Sequence, residues 1–235
     1  MDFKDSLVNS GLKCIDQNDS TAIASLAEMM GTSFLEERWT QCLLCDIDDK
    51  ARVSQDLMYG SMKSGSQESC IFALDNLKAC AACYASWELT NTDISTIEGR
   101  GFDWACKHRL SLQESAALSA QYERMKRISN FTWQTSWLTQ HQESLPQLNK
   151  DRYIHIYLLG VATSARGTGA FRKLISPILH YAEVHKIPCF LETYSPQLES
   201  LYEHFGFKTV TAYTDPQFAI IERGMVLLPE HSTNK

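Results

Sequence analysis

The chain has 235 residues, 44% apolar and 21% charged, with 22 Lys and Arg against 28 Asp and Glu, a formal net charge of −6. That length admits one large domain or two small ones. The acidic balance argues against nucleic acid, which asks for a basic face, and fits a cationic partner such as an amine. No run approaches the roughly 20 apolar residues of a membrane helix, and the N-terminus MDFKDSLVNSGLKC lacks the apolar core of a signal peptide. The expected setting is cytoplasmic, with no membrane partner.

In chain order, residues 11–16 read as a short strand. Asp19 or Ser20 caps a helix through Met30, with Ile23, Leu26 and Met30 on one face. A second helical stretch covers 34–64, broken near Asp46–Lys50. Cys70–Leu74 and Leu77–Leu89 read as two strands joined at Asp75-Asn76.

Residues 90–150 form a long insert between strands, a helical subdomain or a lid. Ser111-Leu-Gln-Glu114 is a capping box that opens a helix through about Arg127. A shorter helical stretch, NFTWQTSWLTQ, follows. The insert's aromatics, Phe102, Trp104, Trp133 and Trp137, read first as packing residues.

YIHIYLLGV is apolar enough to be a central strand. Gly169–Lys186 is a helix with Phe171, Leu174, Ile175, Ile178, Leu179 and Ala182 facing inward, and Pro177 should kink it or open a turn. PCFLET is a buried strand. Ser195-Pro196 caps a helix that carries Leu198, Leu201, Tyr202 and Phe205 and stops at Gly206. KTVTAY and FAIIERGMVLL close the chain as a pair of strands around Asp215-Pro216.

The eight cysteines include two C-x-x-C pairs, Cys42/Cys45 and Cys80/Cys83. The second lies on a strand, where side chains three apart point to opposite faces. No metal is expected, and the thiols read as small core residues.

The chemistry gathers at VATSARGTGAFRKL, a glycine-bearing turn between a strand and a helix. Free amides at a helix N-terminus make such a turn an anion site. A Walker loop needs G-x-x-x-x-G-K-[ST], which is missing. A dinucleotide fingerprint needs a third glycine where this chain has Arg172, and an acidic residue about 20 residues on, where the strand reads CFLET. Both usual phosphate turns are disfavoured.

The whole stretch LLGVATSARGTGAFRKLISPILHYA, then FLET, then LYEHFGF, resembles the GNAT superfamily of acyl-CoA N-acyltransferases in order and spacing over 153–213. The resemblance implies an α/β (α+β) fold: a mixed, mostly antiparallel sheet flanked by helices, with the helical insert. It implies one domain over 1–235, with its cofactor-binding core at 153–213. The sheet would splay between the strands 153–161 and 189–193, and acetyl-CoA would enter the split as co-substrate.

Carried over by position, the turn amides from Arg166 through Gly167, Thr168, Gly169, Ala170 and Phe171 would hold the pyrophosphate, with Arg166 adding charge. Leu159, Gly160 and Val161 would pair with the pantetheine arm like an added strand, and the amide of Val161 would polarise the acetyl carbonyl. Tyr202 would protonate the leaving thiolate. Two positions depart from the family pattern. Phe171 stands where Gly or Ala is usual, and Ser195 where many members have a cofactor-contacting asparagine; serine here also suits a helix cap.

The base is open among Glu88, His155 and Glu192, and each has a structural alternative: a strand-end charge, a sheet histidine, a hydrogen-bonding clamp. The implied reaction is acetyl transfer to a primary amine by direct attack. A small-molecule acceptor is favoured because the insert can cover a pocket. The alternatives are a protein or peptide N-acetyltransferase with an open groove, and a non-catalytic acyl-CoA-binding module. A homodimer is left open.

Overall fold

A computed structural model describes residues 2–65, 70–89, 94–126, 128, 133–145 and 152–229. The chain opens with a helix not expected from the sequence, α1 (Phe3–Asn9), and the strand expected over 11–16 shrinks to β1 (Lys13–Cys14). Next come α2 (Ser20–Phe34), capped by Asp19 through Ala22 N and running past Met30, then α3 (Arg38–Leu43) and α4 (Lys50–Gly65), with the break near 46–50 in place. The hairpin is β2 (Cys70–Ala73) and β3 (Ala79–Ala85).

The insert holds α5 (Ile94–His108), α6 (Leu112–Met125) and α7 (Trp133–His141). Both halves of the Ser111/Glu114 capping box form. Arg127, residues 130–132 and the expected insert bounds 90 and 150 lie outside the described residues. Then follow β4 (Ile154–Val161), α8 (Ala170–Val184), β5 (Cys189–Thr193), α9 (Pro196–His204), β6 (Lys208–Asp215) and β7 (Ile220–Leu227). α8 continues for two turns beyond Pro177 rather than ending there.

The strands form one sheet in the order β1-β2-β3-β4-β5-β7-β6, antiparallel at every step except the parallel β4–β5 pair. β3, ACAACYA, is buried along its whole length. Its alternation sends Ala81 and Cys83 to one face, against α1 and α8, and Cys80 and Ala82 to the other, against α2 and α4. Small residues on both faces let helices pack closely from both sides. The last stretch of that second face, around Tyr84, Phe190 and Val226, is covered by α7 through Trp133, Trp137 and Leu138.

Two glycines join the insert to the rest. A Cβ on Gly60 of α4 would sit 2.3 Å from the Gly101 carbonyl of α5, and one on Gly101 would sit 2.6 Å from Ser61 Cα. Backbone therefore touches backbone between α4 and α5.

Candidate active site

β4 and β5 pair only from Ile154 to Ile156, against Cys189 to Leu191. Past Ile156 they part, while β3 stays paired with β4 as far as Val161. The parting coincides with a bulge: Cys83 faces Ile156 but Ala82 faces Leu158, so Tyr157 is an extra residue. The Ala162 amide donates to the Lys78 carbonyl at 2.8 Å. Antiparallel alternation then turns the amides of Leu159 and Val161 toward the opening and those of Leu158 and Gly160 toward β3. Among the described residues no strand pairs with this edge at Leu159 and Val161, and the Val161 carbonyl accepts from Ser33 Oγ at 3.4 Å.

Gly160 differs from its expected role. It lies in the wall, but its polar groups face β3. Its missing Cβ would fall 2.1 Å from Met30 Sδ, so glycine is there to admit α2.

The turn after β4 is built for an anion. Gly167 and Gly169 take φ of +75° and +81°, conformations that side chains resist. The Arg166 amide is used by the Thr163 carbonyl, and the Thr168 amide and hydroxyl by Ala165. Arg166 N and the polar groups of Thr168 are therefore occupied within the turn, and Thr168, which is exposed, does not line the cleft. Among the described residues the amides of Gly167 and Gly169 have no partner. Those of Ala170, Phe171 and Arg172 are the unpaired first amides of α8, whose first bond is Lys173 N to Gly169 O. The Arg166 guanidinium stands at the cleft and pairs with Glu36 at 2.8 Å.

The bulk at Phe171 is directed away from the turn. Its ring packs against Tyr202 and Phe205 of α9, with centroids 6.0 and 5.1 Å away. Its amide remains free at the helix start. Ser195 caps α9 by accepting from Leu198 N at 3.3 Å and donates to Gln197 at 3.0 Å, still within the cleft wall.

Tyr202 lines the cleft from α9 and is 4% exposed. Burial pushes its phenol well above the ordinary tyrosine range, and the charge of Glu37 adds to this. Among the described residues its hydroxyl has no hydrogen-bond partner. Glu37, at the start of α3, was not singled out from sequence. It lines the same cleft, and burial and then the neighbouring Glu36 raise its carboxyl, against Arg166.

Of the three base candidates, Glu88 stands apart. Antiparallel pairing carries the end of β3 to the beginning of β4, whereas the cleft opens toward the end of β4. Glu88 lies in a turn beyond β3 and meets Asp2 instead. Partial burial, then the hydrogen bond and charge of Asp2, push its carboxyl up to about 7.

His155 and Glu192 come together. Glu192 Oε2 lies 2.5 Å from His155 Nε2, and Tyr84 Oη lies 2.7 Å from His155 Nδ1. Glu192 Oε1 accepts from Trp133 Nε1 at 2.6 Å and from Gln134 Nε2. Glu192 lines the cleft with its side chain 6% exposed, and it also clamps α7 to the sheet.

The cleft encloses about 1060 Å³. Beyond the split its wall is apolar and aromatic: Phe34, Trp39 stacked on Tyr194, Met58, Tyr157, and Phe102 stacked on Tyr122. The last pair comes from α5 and α6, so the insert walls this side. Arg38 is committed to the Phe218 carbonyl. Among the described residues no group of three or more His, Cys, Asp or Glu is placed to hold a metal ion, and all eight cysteines are free.

The family model for the acetyltransferase (GNAT) domain matches residues 109–218, from α6 through the split and the turn into β6. Over that stretch the chain is similar to the GNAT superfamily of acetyltransferases. An uncharacterized N-acetyltransferase of Schizosaccharomyces pombe is 37% identical over 75 residues, 28% of this chain and 30% of that protein, so the match spans under a third of the relative's length. The GNAT fold extends across nearly all of the chain. Arylalkylamine N-acetyltransferase 2 from Aedes aegypti superposes with a TM-score of 0.53 at 14% identity, over 93% of this chain and 98% of that one. The C-terminal condensation domain of Ebony, in complex with beta-alanyl-dopamine, gives 0.54 at 11% identity, over 92% and 97%. In this GNAT fold the mixed sheet, its split and the flanking helices are those the sequence implied. Among the described residues no helix is long and apolar enough to cross a membrane.

Proposed function

We propose that the protein transfers an acetyl group from acetyl-CoA to the primary amine of a small molecule, as one cytoplasmic domain over 1–235. Acetyl-CoA fits the chain's own features. The free amides of Gly167, Gly169, Ala170 and Phe171 suit its pyrophosphate, and the open edge of Leu159 and Val161 suits its pantetheine amides. When bound, it supplies an activated acetyl thioester.

The residues then divide the work. Leu159 presents the first amide that faces the opening past the bulge, nearer the split than Val161, and is the better placed of the two to polarise a carbonyl. Tyr202, buried and without a hydrogen-bond partner among the described residues, keeps its proton and can give it to a leaving sulfur. Glu192 stands at the split as an anchor for an ammonium and a first acceptor for its proton. Glu37 adds a second carboxylate near Tyr202.

The observation that carries the small-molecule preference is the wall of Phe102 and Tyr122, which closes the side where a peptide would need a groove. The bulk at Phe171 is accounted for by packing on α9. The test is release of free thiol from acetyl-CoA against a panel of primary amines and a panel of peptides. Turnover with amines supports the reading. Turnover with peptides alone, or binding of acetyl-CoA without any transfer, contradicts it.

A further inference from the structure

The cleft holds two carboxylates from different walls: Glu192 from β5 in the sheet, and Glu37 from the residue before α3. Two residues beyond each stands one half of the Trp39–Tyr194 stack, whose centroids are 6.3 Å apart at 19°. Both carboxylates therefore enter the cleft beside one aromatic surface. Their partners differ. Glu192 accepts from Trp133 and Gln134 and meets His155. A carboxylate has about four acceptor positions, so one is left for an ammonium hydrogen. Among the described residues the Glu37 carboxylate has no hydrogen bond and no ion pair, although the residue is half-buried. It is the N-cap residue of α3, yet its side chain makes no cap bond. Each arginine of the cleft wall is engaged elsewhere. Arg166 pairs with Glu36 at 2.8 Å, and Arg38 donates to the Phe218 carbonyl at 3.2 Å. Arg172 lies 5.0 Å over the Phe205 ring, with His204 beside it at 3.2 Å. A carboxylate drawn half out of water with no counter-charge is costly, and neither capping nor an ion pair within the chain accounts for this one.

We infer that the acceptor is a dication, a diamine with an apolar spacer, whose reacting amine sits at Glu192 and whose second ammonium sits at Glu37. The inference rests on the acetyl-transfer reading above. The spacer would lie along the Trp39–Tyr194 stack and the neighbouring Met58 and Tyr157, where aromatic faces also favour a passing cation. At the reacting end the C–N bond forms as the thioester C–S bond breaks. Of the two protons that nitrogen sheds, one ends on the sulfur and one in solvent. The second ammonium keeps its protons throughout. Glu37 is thus a specificity-determining residue: it selects the far end of the acceptor. A monoamine leaves it bare, and an acceptor with a carboxylate at its far end is repelled. The net charge of −6 draws a dication toward the chain.

The test compares putrescine and cadaverine with pentylamine and hexylamine, the monoamines in which a methyl group replaces the second amine. With the full chain and acetyl-CoA, each diamine should exceed its methyl counterpart in kcat/KM by about tenfold or more for at least one pair, the worth of a charge-assisted hydrogen bond. Glu37→Gln should cut that ratio by about tenfold, and Glu37→Asp, which keeps the charge, should retain most of it. The ratio is taken within one preparation, so a general loss of activity cancels. Melting of the chain with each amine alone gives a reading that needs no turnover: the diamine should raise the melting temperature more than its counterpart in the wild type, and no more than it in Glu37→Gln. Equal kcat/KM for both diamines and their counterparts in the wild type overturns the inference while leaving acetyl transfer in place. So does a preference that survives Glu37→Gln. Failure of the wild type to acetylate any amine removes the transfer reading and the inference with it.

Discussion

Glu192 and His155 meet because β4 and β5 run parallel with His155 opposite Phe190, which puts Glu192 two residues further along on the same face. The contact, 2.5 Å between Oε2 and Nε2, thus follows from register. It fixes a cleft carboxylate that also accepts from two side chains of α7. Glu192→Gln replaces one acceptor oxygen by a donor facing His155 Nε2. Leaving buried polar groups mismatched costs about 1–3 kcal/mol, which denaturant unfolding at neutral pH should register, together with loosening of α7 seen as faster Trp133 indole exchange.

Tyr202→Phe removes a hydroxyl that holds no structural bond among the described residues. Folding and acetyl-CoA affinity should stay within about twofold, while turnover falls by about 100-fold, the lower range for loss of a general acid. Calorimetry and steady-state rates on the same preparation check the split. Unchanged turnover would remove the acid role.

Gly160→Ala places a methyl group against Met30 Sδ, which is itself fully buried and would have to shift. Overpacking of this kind costs about 1–3 kcal/mol. Combining it with Met30→Ala should give a smaller total loss than the two single losses summed. Additive losses in unfolding experiments would contradict the contact.

Glu88 tests the electrostatics away from the cleft. Its carboxyl is raised to about 7 by partial burial and Asp2. A carboxyl whose folded-state pKa is raised adds stability below its unfolded pKa and loses it as pH rises through the folded value. The wild type should therefore weaken between about pH 4.5 and pH 7 through this pair. Glu88→Gln should melt higher than wild type above pH 7 and no higher at pH 4, without loss of acetyl transfer. A constant difference across that range would contradict it.

The parts legible in the sequence are those written locally. The Ser111/Glu114 box, Asp19, Ser195-Pro196 and Gly206 mark helix ends with residues whose own backbone and side chain do the capping. Arg166 to Gly169 announces its turn through two glycines between a strand and a helix. The parts that were not legible depend on neighbours distant in the chain. The bulge at Tyr157 exists only relative to β3, so which amides of β4 face the opening cannot be read from β4 alone. Gly160 looks like a cofactor contact until Met30 is placed on it. Phe171 looks obstructive until α9 offers a surface for its ring. Glu88 and Glu192 are both carboxylates near strand ends, and only the direction of β3 against β4 separates the one beside Asp2 from the one in the cleft. Glu37 carried no local signal, since FLEERW reads as an ordinary charged helix start.

The measurement that bears most directly on the account is the joint appearance of free coenzyme A and N-acetylated amine when the full chain is mixed with acetyl-CoA and small primary amines, read by thiol titration and mass spectrometry. The account predicts that the two products appear in equal amounts for at least one amine with an apolar or aromatic body, and that Tyr202→Phe suppresses both. A chain that neither binds nor consumes acetyl-CoA would contradict it.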